Sequence, residues 1–328
     1  MTTKEKVLQL FDSRKGTYYS GEELASLLGV SRAAIWKAVK ALRNDGYCIN
    51  AVTNKGYCLS TRTDILSAQG IRKYLRPEFQ DLDIQIRPSV DSTNTLVRQC
   101  AEQGFPAGLT VLANQQTGGK GRGGRVFFSP AGTGLYLSML LRPAYRDARQ
   151  ALRITTMAAV AMCQAIEAVS GETPRIKWVN DIFIRGKKIC GILTEGSFNL
   201  ETGLLCYAVL GVGLNVYPPE EGFPPELESI AGALFRRTEE DMKNRLAGEF
   251  LNRFLTYENS PHPEQYIELY RSYSLVIGRD VTVMRGGYSR TAHVLGIDDE
   301  CRLQVRYEDG KTDSLSYGEI RIRPQSYL

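Results

Sequence analysis

The chain has 328 residues, of which 43% are hydrophobic and 23% are charged, and this composition is typical of a globular protein with two or three domains. Its N-terminus is polar and its longest apolar runs are short, which argues against a signal peptide and a membrane span and predicts a cytoplasmic protein. Seven scattered cysteines predict reduced thiols, and the placement of the two histidines argues against a zinc site built by the protein alone.

The net charge of +5 is confined to one end of the chain. Residues 1–63 contain ten basic and five acidic residues, whereas the remainder contains 31 of each and is neutral. A basic excess confined to one segment indicates that this segment meets a polyanion.

Capping residues and apolar spacing predict three helices and a hairpin in this basic segment. The expected elements are a helix capped by Thr3 and ending at Gly16, a helix Glu22–Leu28 capped by Ser20, a helix Arg32–Asn44 capped by Ser31 and closed by Gly46, and strands Tyr47–Val52 and Tyr57–Leu59. Two helices joined by a short turn and followed by a basic hairpin are typical of a winged helix-turn-helix.

This pattern favours DNA binding by the third helix and the hairpin tip. The residues expected to face DNA are Ser31, Arg32, Lys37, Lys40 and Lys55. Trp36 lies between the two faces of the helix, and packing beneath the hairpin is favoured over contact with a base. A protein-interaction module is the alternative for the whole segment.

Strands and helices alternate over residues 64–273, which predicts a mixed α/β catalytic domain with one large sheet and an α+β class for the chain. Residues 274–328 change to short strands separated by turn residues such as Gly286-Gly287, Asp309-Gly310 and Gly318, and this pattern predicts a small β-barrel.

The strongest local signal is the segment Gln116–Arg125, which holds five glycines and three cations. Such a loop exposes backbone N–H groups and places positive charge beside an anion. It is not a Walker A loop, since no Gly-Lys-Ser/Thr ends it, and its surroundings do not fit a dinucleotide-binding fingerprint. The composition favours an anion-binding loop over a merely flexible or RNA-binding segment.

Four further motifs accompany this loop in a fixed order. They are Asp91-Ser92-Thr93-Asn94, Lys177-Trp178-Val179-Asn180-Asp181, Lys188-Ile189-Cys190-Gly191-Ile192-Leu193-Thr194-Glu195 and Gly211-Val212-Gly213-Leu214-Asn215-Val216. Together, over the whole chain, they resemble the biotin–protein ligase family. The N-terminal and C-terminal segments match its bifunctional ligase–repressor branch, which is bacterial and cytosolic.

The resemblance implies a winged helix-turn-helix over 1–63, a class II synthetase-like domain over 64–273 and an SH3-like barrel over 274–328. It also implies a two-step reaction that uses ATP with Mg²⁺, the metal being carried by ATP. Biotin is activated as biotinyl-5′-AMP and then transferred to a lysine on the biotin carrier domain of a biotin-dependent carboxylase. The other implied partners are operator DNA and a second copy of the chain, with the adenylate as corepressor promoting dimerisation.

The resemblance also assigns residues to roles, by matching motif positions. The implied biotin-binding residues are Ser92, Thr93, Asn94, Gln116, Lys120, Gly121, Arg122, Lys188 and Gly191, with Gly211 and Gly213 allowing close backbone approach. The implied ATP and adenylate residues are Lys120, Gly121, Arg122, Arg125, Trp178, Asn180 and Asn215. The implied catalytic residues are Lys188, Arg122 and Asp181.

Simpler interpretations of three of these residues stay open. Ser92 could serve only as a helix cap, Lys188 could be a solvated lysine at a strand end, and Trp178 could be a core aromatic. Three positions depart from the family pattern: Lys120 replaces an arginine, Phe127 stands where tryptophan is common, and Val179 replaces a proline.

Two other functions compete with this interpretation. A lipoate–protein ligase shares the catalytic fold and the adenylating chemistry. A regulator that binds biotin or its adenylate without turnover would use the same domains. The complete glycine-rich loop argues against the first, and the presence of Lys188, Arg122 and Asn180-Asp181 argues against the second.

Overall fold

The structure is a computed structural model that divides the chain into two compact units. It describes residues 2–44, 47, 49–60, 64–143, 150–199, 201–260, 262, 265–285, 288–316 and 319–322. The first unit comprises Met1–Tyr74 with Arg237–Arg245, and the second comprises Leu75–Arg236 with Leu246–Leu328.

The first unit contains four helices and a two-stranded hairpin among its described residues before Tyr74. They are α1 (Thr3–Ser13), α2 (Gly21–Leu28), α3 (Arg32–Asn44), β1 (Ile49–Val52), β2 (Gly56–Leu59) and α4 (Ala68–Arg72). Thr2 and Ser20 begin α1 and α2 with capping boxes that use Glu5 and Glu23. The first cap is therefore Thr2 and not the expected Thr3, since the helix begins one residue earlier.

The apolar faces of these helices form one core. Val7, Phe11, Leu24, Ile35 and Leu42 are each at most 1% exposed and pack in a common cluster. The hairpin pairs Ile49 with Leu59 in antiparallel register, and both residues join that cluster. The fold is the winged helix-turn-helix expected from the pattern. The predicted helix stop at Gly46 lies outside the described residues.

A buried polar cluster ties residues 241–244 to the N-terminal part of this unit. Asn244 accepts a hydrogen bond from the Ser67 amide at 3.0 Å and donates to the Ile65 carbonyl at 2.8 Å. Asp241 accepts from the Tyr74 hydroxyl at 2.8 Å and lies 3.7 Å from the Lys15 ammonium. Because 167 or more residues separate these partners in the chain, no local pattern predicts the cluster.

The second unit is built on a seven-stranded sheet. Its strands are β3 (Ile84–Arg87), β4 (Thr110–Ala113), β5 (Gly134–Leu141), β6 (Arg175–Lys177), β7 (Asp181–Ile184), β8 (Lys187–Phe198) and β9 (Leu205–Asn215). The strand order is β3-β4-β5-β9-β8-β7-β6, and β3 is parallel to β4 while the other neighbours are antiparallel. This mixed sheet confirms the predicted fold class.

Helices cover this sheet and lead away from it. They are α5 (Thr93–Glu102), α6 (Gln150–Ser170), α7 (Pro225–Glu228), α8 (Met242–Glu258) and α9 (Tyr266–Ser272), and α8 begins in the first unit and continues in the second. Helix α5 packs on β4, β5 and β9, and helix α6 packs on β7, β8 and β9. The sheet therefore positions the segment at the start of α5 and the loop after β4.

Helix α6 departs from the expectation about membrane spans. Its segment Ala151–Ser170 is long and apolar enough to cross a membrane by length and composition, and 67% of its 18-residue window is buried inside the protein. The sequence reasoning missed it because Thr155, Thr156 and Gln164 interrupt the apolar run. Helix α6 is accounted for as a core helix of this unit.

The C-terminal part of the second unit is a five-stranded antiparallel sheet. Its strands are β10 (Asp280–Arg285), β11 (Tyr288–Ile297), β12 (Leu303–Tyr307), β13 (Thr312–Leu315) and β14 (Glu319–Ile322), in the order β13-β12-β11-β10-β14. This arrangement agrees with the predicted SH3-like barrel. The expected turns at Gly286-Gly287 and Gly318 lie outside the described residues. The six described cysteines are free thiols, and Cys206 among them is exposed.

Candidate active site and DNA-binding surface

The start of α5 and the loop after β4 meet at one end of the sheet. Val90 forms a parallel bridge with Gln116, and the Gly118 amide donates to the Asp91 carbonyl at 2.7 Å. Ser92 occupies the N-cap position of α5, but its side chain makes no capping hydrogen bond. Ser92 instead lines a cavity, so the cap-only interpretation of Ser92 does not describe this structure.

A chain of hydrogen bonds fixes the polar end of that cavity. Gln116 Oε1 accepts from the Thr93 amide at 2.9 Å and from its hydroxyl at 3.1 Å. Gln116 Nε2 donates to Ser129 Oγ at 2.9 Å, and Ser129 donates to the Phe127 carbonyl at 2.8 Å. The orientation of the Gln116 amide is thus determined by its partners on both sides.

Sequence reasoning missed two residues that extend this network. Ser138 is fully buried in the apolar strand β5, and its Oγ lies 2.7 Å from Thr93 Oγ1 and 2.6 Å from Asn94 Oδ1. Asn94 Nδ2 donates to Glu195 Oε2 at 2.7 Å. The available signal was the single serine in the run Leu135–Leu141, because a buried polar residue in an apolar strand requires a partner.

Glycines in β8 and β9 let side chains lie directly on the sheet. A Cβ atom at Gly211 would lie 2.1 Å from Asn94 Oδ1, and one at Gly213 would lie 2.6 Å from the Phe127 ring. The same ring and the Lys188 side chain lie 3.3 Å from a Cβ built on Gly191. These positions admit glycine for packing reasons, and Phe127 fills the space above them.

The glycine-rich loop closes on itself beside the cavity. Lys120 bridges to Val126, and the Gly121 amide donates to the Arg125 carbonyl at 2.7 Å. Between them, Gly123 and Gly124 have φ values of 65° and 76°, which a side chain would disfavour. Arg122 reaches out of the loop and donates to Asn180 Oδ1 at 3.3 Å. The loop therefore brings the Arg122 guanidinium to Asn180, between β6 and β7.

Charged groups at the second end of the cavity are paired. Lys188 Nζ lies 2.6 Å from Asp181 Oδ1, and their side chains are 29% and 19% exposed. Asn180 donates to the Ile192 carbonyl at 2.9 Å, which anchors it to β8. Lys188 is thus a half-buried, paired cation in the wall of the cavity and not a solvated lysine at a strand end.

The cavity joins a polar end, an apolar middle and a cationic end. Of the residues expected at a biotin site, all nine line it: Ser92, Thr93, Asn94, Gln116, Lys120, Gly121, Arg122, Lys188 and Gly191. Asn180 completes the cationic end, and the apolar wall comes from Phe127, Leu137, Ile192, Leu193 and Val212. A ligand that fits would carry a hydrogen-bonding head, an apolar stem and an anionic group.

Burial determines the chemistry of the groups beneath this cavity. It raises the pKa of the Cys190 thiol, against the opposing effect of the Lys188 charge, and it raises the pKa of Tyr136 to about 12. Both groups are therefore neutral at physiological pH. A protonated, buried thiol is a poor nucleophile, so Cys190 is a packing residue.

A second candidate surface lies on α3 and the hairpin of the first unit. Ser31 Oγ accepts from the Ala34 amide at 3.2 Å, which confirms it as the cap of α3. Arg32, Lys37, Lys40 and Lys55 are exposed, and Arg32 lies at the 4.0 Å limit of an ion pair with Glu22. Trp36 is 54% exposed, so the expectation that it packs beneath the hairpin is wrong.

Family comparisons match three separate segments of the chain. A helix-turn-helix domain matches residues 3–58, the biotin/lipoate A/B protein ligase family matches residues 86–215, and the biotin protein ligase C-terminal domain matches residues 276–323. Proteins named bifunctional ligase/repressor BirA from Bacillus spizizenii and Bacillus subtilis are 34% identical over 94% of this chain and 95% of their own length.

The chain belongs to the biotin protein ligase family, in its bifunctional ligase/repressor branch. The BirA protein of Escherichia coli is also 34% identical, over 61% of this chain and 60% of its own length. The biotin protein ligase of Aquifex aeolicus in complex with biotin and ATP has a TM-score of 0.60 at 23% identity, covering 74% of this chain and 98% of that one. That likeness bears on the fold.

Four residues expected in this ligase site lie outside the lining of the cavity. Asp181 stands behind Lys188, Arg125 is exposed on the loop, and Asn215 donates to the Gly232 carbonyl at 3.0 Å. Trp178 is 4% exposed and its indole N–H donates to the Cys301 carbonyl at 3.1 Å. The placement of Trp178 favours the core interpretation, because its one polar atom is already bonded within the protein.

The cavity does not contain a ready set of metal ligands. Within the part of the chain that the structure describes, no group of three or more His, Cys, Asp or Glu side chains could hold a metal ion. The nearby carboxylates are engaged, Asp181 with Lys188 and Glu195 with Asn94. These residues do not fit a magnesium site held by protein carboxylates alone.

Proposed function

We propose that this protein joins biotin to a lysine of the biotin carrier domain of a biotin-dependent carboxylase and also represses biotin genes. The observation that carries the ligase half is the cavity, in which hydroxyl and amide groups lie at one end and three cations at the other. Biotin has matching parts: a ureido head, an apolar valeryl chain and a carboxylate.

The polar end is the place for the ureido head. Ser92, Thr93 and Gln116 present hydroxyl and amide groups there, and the side chains of Leu137, Ile192 and Val212 border the path of the aliphatic chain. Asn94 contributes indirectly, through its bonds to Ser138 and Glu195. A preorganised polar wall binds its ligand without paying to orient these side chains.

The cationic end serves the first chemical step. An oxygen of the biotin carboxylate attacks the α-phosphorus of ATP, a P–O bond forms, and the bond to pyrophosphate breaks to give biotinyl-5′-AMP. Lys120, Arg122 and Lys188 offset the repulsion between the two anions and stabilise the charge of the transition state. Asp181 holds Lys188 in the wall until a substrate anion competes for it.

In the second step the amine of an acceptor lysine attacks the acyl carbon, an amide forms and AMP leaves. The glycine-rich loop covers the reactive anhydride in the meantime, with Arg122 as its anchor on Asn180. Mg²⁺ is supplied with ATP and offsets the charge of the triphosphate, in keeping with carboxylates that are already paired. Asn180, Arg125 and Asn215 are assigned to the nucleotide.

The regulatory half uses the first unit. Arg32, Lys37 and Lys40 on α3, with Lys55 at the hairpin tip, contact operator DNA, and Ser31 begins the helix that enters the major groove. Biotinyl-5′-AMP acts as corepressor by promoting a homodimer on a two-fold operator. Both activities take place in the bacterial cytoplasm.

Lipoate is disfavoured as the substrate by the polar end of the cavity. Its dithiolane ring offers no N–H or C=O group, so the Ser92 hydroxyl, which makes no capping hydrogen bond, would gain no partner from this ligand. Leaving a buried polar group unpaired costs about 1–3 kcal/mol each. A regulator without turnover is disfavoured because Lys188, Arg122 and the Asn180-Asp181 pair, which the adenylation step would use, are all present.

An acceptor-mass assay tests the ligase half. The protein is mixed with ATP, Mg²⁺, a biotin carrier domain and either biotin or lipoate, and the acceptor is weighed. We expect the mass of one biotinyl group with biotin and no change with lipoate. Transfer of lipoate would replace the proposed substrate, and absence of transfer with both would leave a regulator.

The Arg122→Gly variant tests the role of the loop in the same assay. Without the Arg122 anchor the adenylate should escape and acylate nearby lysines at random, so label should appear on a bystander protein. Unchanged adenylate dissociation with no stray label would contradict this role.

Selection of genomic fragments with and without biotin plus ATP, at fixed salt, tests the repressor half.

A further inference from the structure

The exposed face of α3 has an apolar ridge between its cations. Trp36 is 54% exposed, and Ala33, which is three residues earlier and so on the same side of the helix, is also exposed. The opposite side carries Ile35 and Leu42, both fully buried in the core. The indole therefore points away from the protein, in the direction of the basic residues.

The cations beside this ridge hold the indole in a defined place. Lys40 Nζ lies 5.1 Å from the centre of the Trp36 ring, which is a cation–π contact. Arg32 and Lys40 are one turn before and one turn after Trp36, and Lys37 follows it directly. An exposed tryptophan supported by a lysine and flanked by two more cations is a large apolar surface inside a positive field.

The charge of this surface determines the partner that fits it. A duplex offers phosphates for Arg32, Lys37 and Lys40, and between its backbones the major groove offers one apolar group, the methyl of thymine. We propose that Trp36 and Ala33 contact thymine methyl groups in the major groove and so determine sequence preference, while the three cations contact phosphates. This inference rests on the proposed repressor function and assigns a reading role to a residue that we expected to be structural.

The test begins with a duplex selected from a random pool by the full-length protein in the presence of biotin and ATP. Each thymine of the selected duplex is then replaced in turn by deoxyuridine, which removes only the methyl group. Binding is measured for the wild-type protein and for Trp36→Ala. Leu27→Ala is the matched control, because Leu27 is an apolar residue of the same unit, 63% exposed, on α2 and not on α3.

We expect Trp36→Ala to weaken binding to the selected duplex about tenfold, comparable to the loss of one specified base pair. At one or two thymines, deoxyuridine should weaken wild-type binding about fourfold, the value of one buried methyl group. The same replacement should cost the Trp36→Ala variant nothing further. The salt dependence of binding should be unchanged in this variant, since no phosphate contact is lost. Leu27→Ala should bind as the wild type does.

Three outcomes would overturn the inference. Equal losses with deoxyuridine in wild type and Trp36→Ala would mean that Trp36 does not read thymine, although the repressor function would stand. A variant that binds DNA normally but changes its association state in sedimentation would make the ridge a protein interface. Failure to enrich any duplex would remove the repressor function, and this inference with it.

Discussion

The cavity and the exposed face of α3 are two functional surfaces built in opposite ways. In the cavity, Thr93, Gln116 and Ser138 are interlocked by hydrogen bonds that also reach Asn94 and Glu195. On α3, Lys37 and Lys40 project into solvent, and their contribution depends on a partner. Removal of one member of a buried hydrogen-bond network destabilises the members that remain. The effects of removing separate exposed charges are instead almost additive. The following predictions test this difference, from the largest expected effect to the smallest.

Lys188→Ala should have the largest effect, because it removes a half-buried cation from the proposed reaction centre and leaves Asp181 without its partner. We expect adenylate formation to slow by about 10²–10³-fold. The measurement is pyrophosphate release in single-turnover conditions. Lys187→Ala is the matched control, since Lys187 donates to the carbonyls of Glu228 and Ser229. A normal adenylation rate for Lys188→Ala would mean that the Lys188 cation does not take part in adenylate formation.

Ser138→Ala should be the next largest, although Ser138 does not line the cavity. The change removes the hydroxyl that bonds Thr93 or Asn94, and the loss of a buried donor costs about 1–3 kcal/mol. We expect a lower melting temperature and roughly tenfold weaker biotin binding by calorimetry. Ser170→Ala, which removes a hydroxyl at the end of α6, should alter neither by a similar amount. Unchanged biotin affinity in Ser138→Ala would mean that the network does not position the ligand-facing residues.

Glu258 on α8 tests a buried charge that belongs to neither surface. Burial alone raises the pKa of its carboxyl to about 7. The folded state therefore keeps its proton up to about pH 7, while the unfolded chain releases it near pH 4.5. The part of the free energy of unfolding that depends on protonation of Glu258 is therefore greatest below pH 4.5 and is lost as the pH rises toward 7. Glu258→Gln should abolish the loss, so that the variant is more stable than wild type above pH 7, by on the order of 2 kcal/mol.

Urea unfolding of wild type and Glu258→Gln at pH 5 and pH 8 measures this effect. The difference between the two proteins should be larger at pH 8 than at pH 5. A difference that does not depend on pH would mean that Glu258 titrates in its ordinary range.

Lys37→Ala should have the smallest effect on the protein and a modest one on binding. We expect unchanged stability and unchanged biotin transfer, because Lys37 is exposed on α3. The slope of log affinity for the selected duplex against log salt should fall by about 0.9, which corresponds to one phosphate contact. A loss of affinity with an unchanged slope would make Lys37 a base-contacting residue and would weaken the contrast between the two surfaces.

Local signals in the sequence predicted most of the fold. Ser20 and Ser31 predicted helix starts, and the predicted helices Glu22–Leu28 and Arg32–Asn44 agree with α2 and α3 within one residue. These predictions succeed because capping and apolar periodicity act within one element. The end of β9 at Asn215 is different, since the pairing of Gly213 and Asn215 with β5 is set by another strand and not by a local pattern.

The residues that line the cavity were predicted from the sequence. The buried residues that hold them in place were not. All nine residues expected to bind biotin line the cavity, because short motifs carry them. Ser138 and Glu195 were missed, since their importance depends on contacts with α5 that no local pattern encodes. Trp36 was misassigned because it lies between the buried and the exposed face of α3. The helical pattern alone does not determine whether a residue at that position is buried. The nucleotide roles of Trp178, Arg125 and Asn215 stay predictions.

The polar cluster around Asp241 and Asn244 affects how this gene can change. A deletion that removed residues 1–63 would take away Lys15, whose ammonium lies 3.7 Å from Asp241, and would leave that carboxylate at the start of α8. Asn244 would keep its bonds to Ser67 and Ile65, so the stretch from residue 64 onward would retain a reason to stay folded. A lineage that discarded its DNA-binding helices would lose one ion pair at Asp241, while the hydrogen bonds from Tyr74 and Asn244 would remain. The residues that support the boundary between the two activities are encoded in two separate places in the gene, and most of that support would be inherited with the part of the chain that follows residue 63.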